Sequence, residues 1–331
     1  MIRIIIYSIL VSFSLGQFRE IPDIVTKVGT AAAPWLKLET GIRAIGMAGT
    51  QTASARGISS LPYNPAGLGF VENQEAFLNK TNYLAGISHN VLGYAKRINA
   101  TDIVGLHIFY LDSGEMIRYD YGGNALGDFK VYNIAVRGSY ARIFTDRLKV
   151  GFTLKYIRED IWDIYMQTFA IDIGSNFDTG IYGFILGMSV SNFGPEVQFE
   201  GPGLSTGSDG TSSGVAEKKT EVFPLPMMFR LGVENEIMGT REDALIKSST
   251  HRLIIAADGI KPIDYTVHGS VGLEYAWNEM AFIRCGTHFA HDTAGPSFGL
   301  GLHYNGMKFD YAISDYGVLG STGQFGVEFE F

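Results

Sequence analysis

From residue 74 onward the chain is a succession of segments, each about ten residues long, in which apolar and polar side chains alternate. Period-2 alternation puts one set of side chains on each face of a strand. At the C-terminus Phe325, Val327, Phe329 and Phe331 point one way, and Gln324, Gly326, Glu328 and Glu330 the other. Met307, Phe309, Tyr311 and Ile313 oppose Lys308, Asp310, Ala312 and Ser314, and Val271, Leu273, Tyr275 and Trp277 oppose Ser270, Gly272, Glu274 and Ala276. Val150, Phe152, Leu154 and Tyr156 oppose Gly151, Thr153 and Lys155. One face is greasy and aromatic, the other small or charged. A soluble sandwich turns the polar face to water. A membrane barrel turns the greasy face to lipid and the polar face to its lumen.

The spacing of the connections separates these two architectures. The pattern predicts strands at 74–80, 89–98, 102–111, 130–143, 148–158, 166–176, 181–192, 227–237, 251–258, 267–276, 280–288, 297–304, 307–314 and 323–331. That is an even number, about fourteen. Connections after even strands are short, as at Asn99–Thr101 and Asn305–Gly306, with 238–250 as the exception. Those after odd strands are longer: 112–129, 159–165, 193–226, 259–266, 289–296 and 315–322. Short turns on one rim and long loops on the other characterise outer-membrane barrels, whereas a sandwich has no reason to sort loops by parity. Tyr110, Tyr140, Tyr156, Trp277 and Tyr304 lie near strand ends, where interfacial aromatics belong. The expected fold is all-β: a transmembrane antiparallel barrel of about fourteen strands.

Composition agrees with this reading. Charged residues are 18% of the chain, below the roughly 25% of soluble domains, and 46% hydrophobic content excludes a disordered chain. A net charge of −8 argues against a nucleic-acid partner. A single cysteine, Cys285, rules out an intramolecular disulfide and a cysteine-rich zinc site. On the greasy face its thiol is a small hydrophobe.

Met1-Ile2-Arg3 precedes an apolar run, Ile4 to Leu15, of about 12 residues, too short to span a bilayer. A positive residue before a short apolar core and small residues at Ser14 and Gly16 is a secretory signal pattern. Residues 1–16 are therefore expected to be a cleaved signal peptide, 17–73 an N-terminal segment of different character, and 74–331 the barrel. The expected location is the outer membrane of a diderm bacterium, with lipid as the first partner.

The N-terminal segment carries Gly41-Ile42-Arg43-Ala44-Ile45-Gly46-Met47-Ala48-Gly49 and then Asn64-Pro65-Ala66-Gly67-Leu68. Glycines permit close backbone approach, and Asn64-Pro65 interrupts any helix. Arg43 is placed to find a lumen carboxylate. These motifs resemble the PorV/PorQ family, a branch of FadL-like outer-membrane barrels. The lead-in from Lys27 to Lys37 is similar too, as are Tyr83–Ile87, Pro224-Leu225-Pro226, Arg230-Leu231-Gly232 and Asp258–Asp264. The resemblance spans essentially the whole chain after the signal. It implies that 17–73 fold inward as a plug or hatch, with Gly41, Arg43, Gly46, Met47, Gly49, Asn64, Pro65, Ala66 and Gly67 as its motif. It also implies that the aromatic C-terminus, Phe329 and Phe331, serves as a barrel assembly signal. Where relatives often have Asp-Asp-Ala-Ser, this chain has Arg56-Gly57-Ile58-Ser59. An acidic contact made there by relatives is not expected here.

Catalytic motifs are absent. Gly41-x-x-x-x-Gly46-x-x-Gly49 lacks the Lys-Ser/Thr and the βαβ setting of a nucleotide loop. His288, His291 and Asp292 sit at a strand-to-loop junction, and no third ligand is evident in the sequence beside the two histidines. Inward carboxylates Asp172, Glu234, Glu274, Asp310 and Glu328 are interleaved with Lys155, Arg230 and Arg284, which reads as a lumen ion-pair network rather than a glycosidase pair. No enzyme, metal or cofactor is expected. The resemblance implies an accessory role in type IX protein secretion, with a translocon and secreted cargo as partners. The alternatives are a FadL-like channel for hydrophobic small molecules, or a structural surface barrel. A charged, Gly-rich inward face disfavours a greasy tunnel.

Overall fold

The computed structural model describes residues 27–120, 122–204 and 219–331, so the expected signal peptide lies outside the described residues. The strands are β1 (Gln74–Asn82), β2 (Ser88–Arg97), β3 (Asp102–Asp112), β4 (Met116–Tyr119), β5 (Ala125–Phe129) and β6 (Val131–Thr145). They continue with β7 (Leu148–Ile161), β8 (Ile164–Asp178), β9 (Phe184–Phe193), β10 (Met228–Gly239), β11 (Ile246–Lys247) and β12 (His251–Pro262). The last five are β13 (His268–Trp277), β14 (Ala281–Phe289), β15 (Pro296–Tyr304), β16 (Met307–Asp315) and β17 (Ser321–Glu330). One sheet holds fifteen of them, and β11 is an appendage pairing only the end of β10. The other fourteen form a closed antiparallel ring. The first strand pairs the last, from Glu75↔Glu330 to Asn82↔Gly323, and β9 pairs β10. Closure leaves no unpaired sheet edge, which is what hydrocarbon demands of a backbone.

Each predicted segment corresponds to one ring strand. Two details differ. The expected long connection at 159–165 is a tight turn, because β7 and β8 run on to an Ile161↔Ile164 pair, with Trp162 at φ 58° in the turn. Within the long connection after β3, β4 and β5 form a separate hairpin. Loop sorting therefore rests mainly on 113–130 and 194–227, both on the rim opposite the chain end.

The faces follow the alternation. Leu78, Leu106, Phe169, Ile173, Leu231, Phe298, Leu300 and Phe325 are exposed on the outside, while Lys155, Asp172, Glu234, Glu274 and Arg284 are buried on the inside. Cys285 is on the outer face, paired with Leu273 and Phe298. Among the described residues no helix is long and apolar enough to cross a membrane.

The ring is filled. Most of residues 32–71 are buried, and they contact inward positions around the whole circumference. A helical turn at Pro34–Lys37 is followed by α1 (Ile42–Gly46), a turn at Ile58–Ser60 and another at Pro65–Phe70. Two barrel glycines show how close the packing is. A Cβ on Gly151 would lie 2.2 Å from the Pro65 carbonyl carbon, and one on Gly187 2.1 Å from the Thr52 oxygen. Both obstacles are backbone, so neither can step aside.

Candidate functional site

The lumen divides into two halves of different chemistry. Toward the short-turn rim it is polar. Gly41, at φ 88°, starts α1, and Arg43 on α1 reaches Glu274 on β13, Nε to Oε2, at 2.8 Å. Arg43 also donates to Gln51 Oε1 and to the Ser54 carbonyl. Glu274 is 1% exposed and receives Arg284 at 2.7 Å and Arg252 at 3.1 Å. Arg284 continues to Asp310. Lys308 is paired with Glu328 at 2.6 Å. Arg43, Arg56, Glu274, Arg284, Lys308 and Asp310 are among the residues lining a cavity of about 660 Å³ between the segment and the wall.

Further along the segment, Thr52 donates both its N–H and its hydroxyl to Asp258 Oδ2, at 2.9 and 2.7 Å. Arg56 donates to Glu234 at 2.8 Å. Asn64 caps the turn that Pro65 begins: its Oδ1 accepts from the Ala66 N–H at 3.0 Å, and its Nδ2 donates to the Thr52 and Ser175 carbonyls. Pro65, Ala66 and Gly67 are fully packed behind it, Met47 and Gly49 are buried, and Gly46 abuts Gly299 on β15. The motif residues thus sit at the contacts between segment and wall.

Toward the long-loop rim, one side of the lumen is apolar, contrary to the expectation of a charged, Gly-rich inward face. Val91, Phe109, Leu111, Ala135, Ile157 and Met166 face inward and are buried. Trp35 lies flat on Phe109, with ring centroids 5.5 Å apart at 12°, and its indole N–H donates to Glu159 at 2.9 Å. Leu36 joins it, and Val197 and Leu225 from the 194–227 connection cover the cluster. Each such large side chain stabilises the packed state by about 1.5–3 kcal/mol.

The wall between these regions carries Lys155, 1% exposed and 3.0 Å from Asp172. Asp172 also accepts the Asn192 N–H at 2.7 Å. Asn192, at φ 61°, lies where the register of β8 against β9 shifts. Arg230 is buried, with its guanidinium 5.2 Å from the Tyr63 ring. Phe329 and Phe331 lie outside these groups, at the chain end, stacked at 6.4 Å.

The other side of this rim holds a cavity of about 380 Å³ that includes Glu39, Arg230, His268, His288 and His291. His288 Nε2 is 3.7 Å from Glu39 Oε1, and the His268 and His291 rings meet edge-on at 5.2 Å. Burial pushes the Glu39 carboxyl up to about 7, against the pull of Arg230 and His291. Sequence spacing links His288 to His291 but not to Glu39 or His268, which arrive through the inward fold of the segment and the β13–β14 register. Trp35, Glu159 and Asp258 were invisible as partners for the same reason. Among the described residues, Glu75, Glu328 and Glu330 alone bring three metal-ligand-type atoms within 4.8 Å of one another, beside Lys308.

A closed fourteen-strand antiparallel barrel of transmembrane type, with its lumen occupied by the chain's own N-terminal segment, is the class this architecture defines. Solved structures share the fold. The Ralstonia pickettii toluene transporter TbuX superposes with a TM-score of 0.57 at 14% identity, over 89% of this chain and 100% of that one. A Pseudomonas aeruginosa FadL homologue gives 0.57 at 12% over 89% and 99%, and the Pseudomonas putida toluene transporter TodX gives 0.56 at 12% over 87% and 96%. No family model and no curated protein sequence matches the chain.

Proposed function

We propose that this protein is an outer-membrane channel for hydrophobic small molecules, closed in the described state by residues 32–71. The observation that carries the reading is the apolar inner wall. Val91, Phe109, Leu111, Ile157 and Met166 face a lumen that an aqueous pore would line with polar groups. Trp35 and Leu36 cover that wall now, and an apolar solute would bury the same surface if they withdrew. The similarity to structures described as toluene transporters supports this substrate class. In this account residues 1–16 direct export, and Phe329 and Phe331 contribute to assembly.

The test is uptake of tritiated toluene by vesicles containing the purified full-length protein. Uptake above that of empty vesicles is expected, with a several-fold change in rate for Trp35→Ala. Uptake no faster than in empty vesicles would refute the channel. The PorV/PorQ-like motifs favour a second reading, an accessory role in type IX secretion. The residues of the Gly41–Gly49 and Asn64–Leu68 motifs lie within the lumen, where they hold the segment rather than meet cargo. A deletion strain with defective surface display of secreted proteins and normal toluene uptake would favour that second reading.

A further inference from the structure

The cavity of about 380 Å³ at the long-loop rim presents two imidazoles of opposite hydrogen-bonding character. His268 Nδ1 lies 3.3 Å from the Thr266 carbonyl oxygen, which can only accept. The ring proton is therefore on Nδ1, and Nε2 keeps its lone pair. His291 is the reverse. Its Nδ1 accepts the backbone N–H groups of Thr293 and Ala294, at 3.2 and 3.0 Å, so its proton sits on Nε2. Burial holds the His291 ring below its ordinary pKa, which keeps it neutral at pH 7.5. The two rings meet edge-on with centroids 5.2 Å apart, a separation that one hydroxyl oxygen can bridge. Among the described residues neither Nε2 has a hydrogen-bond partner, and both retain accessible surface. Buried polar groups are ordinarily hydrogen-bonded, so an open donor beside an open acceptor marks where the polar group of a ligand fits.

The cavity lies toward the small end of the roughly 300–1,000 Å³ range of ligand pockets. Its other walls are rings and apolar groups. Tyr265 stands edge-on to His268 at 5.8 Å and tilted against His291 at 5.7 Å, Tyr83 meets Tyr316 edge-on at 5.8 Å, and Ile260 adds to the lining. The charges around it are balanced. Lys37 is paired with Asp264 at 2.6 Å, and Glu39 feels the attraction of Arg230. The Nε and Nη1 of Arg230 are enclosed, so they are not offered to a ligand.

We propose that this cavity is a binding site for a small phenol, whose hydroxyl donates to His268 Nε2 and accepts from the His291 Nε2–H while its ring packs among the tyrosines. The inference rests on the channel reading and names a hydroxylated aromatic class of solute within it. A hydroxyl is the smallest group that both donates and accepts. An ionised carboxylate brings no proton for His268, and an ammonium brings no acceptor for His291. An aromatic hydrocarbon leaves both nitrogens unsatisfied, and an aryl ether leaves His268 so.

The experiment is equilibrium dialysis of phenol, and of its methyl ether anisole, against the full-length protein at pH 7.5, with the same detergent micelles in both chambers. A phenolic hydroxyl titrates near pH 10, so both compounds are neutral there. Phenol is expected to bind at least tenfold more tightly than anisole, because a site built around a hydroxyl discriminates against the analogue that lacks it. His268→Phe removes the acceptor and His291→Phe the donor, and each is expected to bring the ratio below about threefold. Equal binding of phenol and anisole to the wild type would overturn the proposal, as would a tenfold preference that survives in both variants. A measurement on the wild type alone keeps the test valid if the variants do not fold. In protein labelled with ¹⁵N-histidine, saturation with phenol should shift two ring Nε2 resonances, and the absence of any shift would also overturn the proposal. Absent toluene uptake with an intact phenol preference would instead refute the channel and leave the site standing.

Discussion

Glu274→Gln should loosen the inward segment before it opens the barrel. In the folded protein one carboxylate, 1% exposed, holds three guanidinium groups. With its charge removed, Arg284 keeps Asp310 and Arg252 keeps Glu279, but Arg43 retains only the neutral oxygens of Gln51 and Ser54. Removing one partner from a buried ion pair costs about 3–5 kcal/mol. The Arg43 and Arg252 side chains are 19% and 21% exposed, so partial hydration places the cost near the low end, about 3 kcal/mol. That is roughly a hundredfold in the equilibrium for releasing the segment. Trp35 reports on the segment, and Trp162 and Trp277 can be changed to Phe to leave it as the sole emitter. Guanidinium titrations in detergent micelles would follow Trp35 emission beside far-ultraviolet circular dichroism of the barrel. The Trp35 transition should move to lower denaturant and precede loss of β signal. A Trp35 midpoint within about 0.5 kcal/mol of wild type would refute the reasoning, because it would mean that the network is already hydrated.

Other outcomes follow from the same geometry. Leu273→Arg sets a charge on the lipid face and should cost about 2–4 kcal/mol of barrel stability, read by the fraction that stays compact on an unheated gel; no change would mean the faces are misassigned. Gly151→Ala should displace the Pro65 turn at a cost of about 1–3 kcal/mol, whereas Gly138→Ala, with nothing within 4 Å, should be silent; equal stability of the two would contradict the close packing. Glu39 has a folded pKa raised from 4.5 to about 7, so the folded state binds more protons between these values, and stability falls as pH rises through that window and is flat above it. Glu39→Gln removes the fall, and wild type should lose roughly 1–3 kcal/mol relative to the variant between about pH 5 and pH 8; parallel unfolding midpoints would exclude this.

Much of the barrel was legible because period 2 is written residue by residue: Phe325, Val327 and Phe329 against Gln324, Gly326 and Glu328 need no tertiary information. Strand ends were less so. The Ile161↔Ile164 pairing extends β7 and β8 across Asp160 and Tyr165, which read as loop residues. The lumen was legible as composition and opaque as geometry. Alternation puts Glu274 inside, where it reads as one member of a lumen ion-pair network without a named partner. That a segment more than 200 residues earlier brings Arg43 to it depends on long-range packing. The apolar inner wall was hidden for a further reason. On β3, β7 and β8 the inward positions are themselves partly hydrophobic, so Phe109, Ile157 and Met166 do not contrast with their lipid-facing neighbours.

The central claim, that an apolar solute enters the lumen against that wall, is tested most directly by locating one there. Crystals of the full-length protein exposed to bromobenzene would show bromine by anomalous scattering. The account expects a peak inside the ring beside Phe109, Leu111 or Met166, accompanied by movement of Trp35 off Phe109. Bromine found solely on the lipid-facing surface, with Trp35 still stacked, would contradict it.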